Sequence, residues 1–167
     1  MPHKNGIVCL VILKIILHLG SFLLTTVMHG QRHKNNFMKV FTMAEMMASG
    51  EQPEILFWVG CAGSFDQRAQ KITKAFATIL NKAGVEFGIL GEKESCCGES
   101  IRKTGAEEVF KNLAKENIKT FIDKGVKKII VSSPHCYHTF KNEYPEFMVN
   151  FEVQHMNQYL LELINDG

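Results

Sequence analysis

Neither a C-x-x-C hairpin nor a G-x-G-x-x-G fingerprint occurs in the chain, so the short-spaced zinc motifs and the usual dinucleotide-binding turn are both missing. An excess of one charge is also lacking. The formal net charge is +2, too close to neutral to indicate nucleic acid as a partner. Five cysteines make an odd count without the even framework of a secreted disulfide scaffold, which points to a reduced compartment and to metal-binding or redox thiols. Internal repeats and low-complexity stretches are absent, and 46% hydrophobic with 22% charged residues is a globular composition. The 167 residues suffice for one domain with a core plus an appendage.

Four of the cysteines each follow an apolar, strand-like run. Cys61 follows residues 55–60, Cys96 and Cys97 follow residues 85–90, and Cys136 follows residues 126–132. Helix-period stretches separate the runs. Phe65, Ala69, Ile72, Phe76, Leu80 and Ala83 recur between Ser64 as N-cap and Gly84 as stop; Val109, Phe110, Leu113, Ile118, Phe121 and Ile122 mark the buried side of a helix over 104–124, stopped by Gly125. Cys136 opens a short helix to about residue 143, and a fourth strand over 151–154 precedes a last helix over 156–164. The alternation predicts an α/β domain, a parallel sheet of about four strands with flanking helices. Loops after parallel strands emerge on one edge of the sheet, where cofactors bind, so Cys61, Cys96, Cys97 and Cys136 are expected to meet at one place. Cys9 lies apart and reads as a small apolar side chain.

Ahead of this body, residues 7–28 form a mostly apolar run of about bilayer-spanning length, interrupted by Lys14 and His18. Arg32, His33, Lys34 and Lys39 follow it, which for a membrane anchor would place the body on the cytoplasmic side. No small-x-small cleavage site supports a signal peptide, and upstream sequence from a wrong start, with Met38 or Met43 the true first residue, is the competing reading. The organisation expected is therefore residues 1–36 as apolar segment and basic linker, 37–54 as a linker with a short helix near 43–48, and 55–167 as the cysteine-rich domain, cytoplasmic and with membrane association through 7–28 as an option.

The chemistry of the thiols stays open at this point. Zinc, which takes four N or S ligands in a tetrahedron, is one reading, with Cys61, Cys96, Cys136 and a histidine as donors. Adjacent cysteines diverge, however, and suit two metal atoms of an iron–sulfur cluster better than one ion. A vicinal disulfide or exchange-active thiol is the third reading, should His135 or His138 lower a thiol pKa. His155 follows the fourth strand and reaches the same edge. Gly60, Gly63, Gly91 and Gly98 suit tight turns or close approach to a cofactor. Lys71, Lys74, Lys111, Lys115 and Lys119 read as solvated helix surface. No catalytic residue is legible.

Cys61, Cys96-Cys97-Gly98 and Pro134-His135-Cys136, with the strings FWVGCAGSFDQRAQK and PHCYHTFKNEYP, resemble the cysteine-rich CCG domain found in heterodisulfide reductase and in the iron–sulfur subunits of glycolate and lactate oxidases. That family's pattern is Cys, thirty-odd residues, Cys-Cys-Gly, a similar gap, then Cys-x-x-Cys. Here 34 residues separate Cys61 from Cys96 and 35 lie between Cys97 and position 133. The resemblance implies an iron–sulfur oxidoreductase subunit in electron transfer, with a four-iron or noncubane cluster on Cys61, Cys96, Cys97 and Cys136. By position, His135 and His138 flanking Cys136, His155 at the same sheet edge and Gly98 after the vicinal pair are the candidates to surround the ligands; a non-catalytic zinc-binding interaction domain is the alternative. Ser133 stands where the family has the first cysteine of Cys-x-x-Cys, and is the weakest ligand candidate. Relatives often carry two CCG domains and this sequence shows one; it also lacks a C-x-x-C-x-x-C ferredoxin segment. The resemblance thus implies a redox partner bearing ferredoxin-type clusters or flavin, or a second CCG domain.

Overall fold

The structure, a computed structural model, describes residues 40–166; the apolar segment at 7–28 and Cys9 lie outside them. Four short strands, β1 (Ile55–Trp58), β2 (Phe87–Gly88), β3 (Lys128–Val131) and β4 (Glu152–His155), form an all-parallel sheet in the order β2-β1-β3-β4. The register aligns Trp58 with Val131 and Val131 with His155, so the strand ends, and the loops leaving them, lie on one edge. Helices cover both faces, as the continuous apolar character of β1 and β3 requires. Leu56, Trp58, Ile129 and Val131 pack with Phe110, Phe121, Phe140 and Tyr144 on one side, while Phe57, Val59 and Ile130 pack with Phe76, Leu80 and Tyr159 on the other.

The helices are α1 (Met43–Ala48), α2 (Gly60–Phe65), α3 (Gln67–Lys82), α4 (Glu99–Lys103), α5 (Glu107–Asp123), α6 (Pro134–His138) and α7 (Met156–Asn165). The stretch read as linker thus contains α1, closed by a reciprocal capping box between Thr42 and Glu45 and anchored by buried Met43 and Met46; Thr42 also bridges to Ile89 beside β2. Two expected helices are interrupted. Extended Asp66, not Ser64, caps α3, accepting the Ala69 N–H at 2.7 Å. Gly105, at φ +82°, separates α4 from α5. The run expected as a six-residue second strand pairs with β1 over only two residues, Phe87 with Ile55 and Gly88 with Leu56.

Helix α5 buries Phe110, Ala114, Asn117, Ile118 and Phe121. Ile122, expected on that face, is 60% exposed, and the polar Asn117 takes a place on the stripe instead. Ile72 and Ala83, expected on the buried side of the helix after Ser64, are likewise exposed. Among the described residues, no helix is long and apolar enough to cross a membrane.

Candidate functional site

Each thiol reaches the site from the loop after a strand, and three strands contribute. Cys61 sits in the first turn of α2, which starts two residues beyond β1, and is exposed. Cys96 and Cys97 lie between β2 and α4, and Cys136 lies in α6 just past β3; all three are buried. The side chains form a row. Cys96 neighbours Cys97, and Cys97 neighbours Cys136, closely enough for their side chains to interact. Cys61 lies close enough to Cys96 for their charges to interact. Cys136 also borders the turn that carries Cys61, since a β-carbon placed on Gly60 would stand 3.6 Å from Cys136 Sγ.

Buried polar groups fix the loops. The Glu94 carboxyl group spans from the Cys96 loop to the end of β1, accepting the Gly60 N–H at 2.6 Å and the Val59 N–H at 3.1 Å. Burial pushes its pKa up to about 8, against the lowering effect of those two bonds. The carbonyls of the vicinal pair are held from α5 and from the segment after α6. Asn117 Nδ2 donates to Cys96 O and to Tyr144 Oη, both at 2.9 Å, and the Tyr144 hydroxyl donates to Cys97 O at 3.2 Å. Ser95 Oγ completes the set by donating to Asn117 Oδ1 at 2.9 Å. Gly98 donates its N–H to Cys96 Sγ at 3.3 Å from a φ of +94°, and a β-carbon there would meet Phe110 at 2.7 Å. The positive φ and the close approach both require glycine.

Sequence reasoning missed Glu94, Asn117 and Tyr144. A signal existed for Asn117, a polar residue on an otherwise apolar helical stripe, but none for the other two.

All three shifted thiols move away from thiolate character. Cys96 is raised first by its side-chain interaction with Cys97 and then by burial; Cys97 is raised first by its side-chain interaction with Cys136; Cys61 is raised by burial and the neighbouring Cys96. The histidines do not reverse this. His135 is exposed, with Nδ1 3.2 Å from Glu99 Oε1, and His138 Nδ1 lies 3.5 Å from Glu143 Oε1. Lys103, bonded to Glu99, holds that carboxyl below its usual range. His155 caps α7: its Nδ1 accepts the Asn157 N–H, leaving Nε2–H to donate to Ser132 O at 3.2 Å. Ser133 is half-buried at the start of α6, its carbonyl accepting the Tyr137 N–H. The site therefore brings together Cys61, Cys96, Cys97, Cys136 and Gly98, whereas His138 and His155 are engaged elsewhere.

Protonated, buried thiols are poor exchange nucleophiles. Among the described residues, no group of three or more His, Cys, Asp or Glu side chains is arranged to hold a metal ion. The donor set fits iron–sulfur chemistry: thiols alone form the row, and a buried N–H with no partner among the described residues, Trp58 Nε1, stands beside it.

Fold and site together define a parallel α/β domain that gathers cysteines from three strand ends on one edge of the sheet. The chain belongs to the cysteine-rich domain (CCG) family of iron–sulfur, oxidoreductase-related proteins implicated in electron transfer, and the family model matches residues 55–141. It is 48% identical over 126 residues to the probable iron-sulfur-binding oxidoreductase FadF of Bacillus subtilis, covering 75% of this chain and 18% of that one. It is 46% identical over 118 residues to the EtfAB:quinone oxidoreductase of Syntrophomonas wolfei, covering 71% and 16%. With one subunit of the dihydromethanophenazine:CoB--CoM heterodisulfide reductase of Methanosarcina barkeri it shares 34% identity over 122 residues, covering 68% and 29%. The chain thus spans less than a third of the length of these relatives. No solved structure matches it.

Proposed function

We propose that this domain holds an iron–sulfur cluster on Cys61, Cys96, Cys97 and Cys136 and serves as an electron-transfer unit of a larger oxidoreductase. One observation carries the reading: the row of thiols, fed by three strand-end loops and braced by Glu94, Asn117 and Tyr144. When bound, such a cluster supplies a one-electron relay. The chain's own residues set its surroundings. Cys96, Cys97 and Cys136 would hold it on the buried side, where Phe140 and Trp58 exclude water, and exposed Cys61 would hold the side open to a partner. Asn117 and Tyr144 fix the backbone of the vicinal pair by holding both of its carbonyls.

The names of two relatives above 45% identity concern an iron-sulfur-binding oxidoreductase and an EtfAB:quinone oxidoreductase. They support a flavoprotein as electron donor and a quinone as eventual acceptor, with the remaining relays on other segments or chains. A heterodisulfide, or a hydroxyacid-linked reaction, has less support from the comparisons. Anaerobic purification of the chain tests the reading. A brown protein containing iron and sulfide, whose absorption bleaches on reduction, is expected. A colourless protein with one equivalent of zinc would replace the reading with a structural zinc site.

A further inference from the structure

The indole of Trp58, the chain's single tryptophan, is 1% exposed, and its Nε1–H has no hydrogen-bond partner among the described residues. Buried N–H groups are almost always paired, so an orphan in a well-packed core asks for an acceptor. The ring cannot turn away to find one. Phe140 and Phe121 hold it edge-to-face, with centroids at 4.9 and 5.7 Å. The N–H edge faces Gly60. The point a β-carbon would occupy there lies 3.6 Å from Trp58 Nε1, 3.7 Å from Cδ1 and 3.6 Å from Cys136 Sγ. With glycine at position 60, the indole N–H and the Cys136 sulfur border the same space.

The geometry points to Trp58 as the hydrogen-bond donor to the sulfur at the Cys136 corner of the bound cluster. This rests on the iron–sulfur reading above. An N–H···S bond stabilises the reduced, more negative cluster over the oxidised one, so Trp58 is a positioning residue that raises the reduction potential. The bond also accounts for the otherwise unpaired donor.

Because no other tryptophan is present, biosynthetic replacement of tryptophan by benzothienylalanine changes this residue alone, exchanging N–H for sulfur at nearly constant shape. The full chain is loaded anaerobically in both forms, with Trp58→Phe as a second variant, and potentials are measured by a redox titration followed optically and by electron paramagnetic resonance. The expected result is equal iron and sulfide content with a lower midpoint potential in the analogue, and a shift in the same direction for Trp58→Phe if it folds. Equal potentials in equally loaded natural and analogue proteins would overturn the hydrogen bond alone. Failure of the natural protein to take up iron and sulfide would overturn the iron–sulfur reading, and this inference with it.

Discussion

Glu94 is buried, yet both of its oxygens accept main-chain N–H bonds from the turn that carries Cys61, so it joins two loops that are 34 residues apart in the chain. Its raised pKa has a consequence for the metal-free protein. Between the ordinary value of 4.5 and about 8, the folded chain keeps a proton that the unfolded chain has released. Rising pH therefore favours unfolding across that window. Stability should fall by roughly 1 kcal/mol per pH unit from about pH 5 to about pH 8 and level off above it. Thermal melts across the range check this, and Glu94→Gln should flatten the slope; a wild-type melting temperature that climbs with pH would contradict it. Cys61 offers a cleaner separation of stability from binding. It is exposed, so Cys61→Ala should change the metal-free stability by less than about 0.5 kcal/mol. The same substitution should lower the iron bound per chain, measured after anaerobic loading. At Ser133, whose hydroxyl holds its proton far more tightly than a thiol, Ser133→Cys should change the type or content of the cluster. An unchanged resonance spectrum and iron count would show that position 133 contributes no ligand.

At the level of elements, the vicinal cysteines are governed from α5 and the segment after α6. Tyr144→Phe leaves Cys97 O without its donor and removes one of the two acceptors of Asn117 Nδ2, both in the core, which should cost about 1–3 kcal/mol by denaturant titration. A variant as stable as the wild type would show that the hydroxyl does not brace the pair. The sheet itself was readable from the chain, because strands buried on both faces are written as continuous apolar runs such as residues 55–59 and 129–131. The meeting of the thiols was readable for a related reason: parallel strands put their following loops on one edge. The bracing was not. Glu94 and Tyr144 act across 34 and 47 residues through single polar contacts, which leave no periodic trace. Helix ends were blurred by local chemistry, since extended Asp66 and left-handed Gly105 break runs whose apolar spacing carries straight on. His155 was placed at the right edge by its strand, but its ring nitrogens serve the cap of α7 and the Ser132 carbonyl.

For the whole molecule, the proposed cofactor either completes the fold or is added to it. In a zinc finger the metal replaces a missing core, and removing it unfolds the chain. Here both faces of the sheet are filled without one: Leu56, Trp58, Phe110, Phe121 and Tyr144 on one side, Phe57, Phe76 and Leu80 on the other, all essentially inaccessible. The cysteines occupy the rim of that core rather than its centre. Stripping iron by chelation should therefore leave the far-ultraviolet circular dichroism unchanged while lowering the melting temperature, because a group bound by the folded state alone stabilises it by mass action. A loss of about 1–2 kcal/mol corresponds to a shift of roughly 5 °C in a domain of this size. Hydrogen exchange should localise the loosening to the three loops that end β1, β2 and β3, with the ladder between β1 and β3 still protected. Collapse of the dichroism on stripping would make the metal part of the core, and an unmoved melting temperature would place iron away from these four thiols.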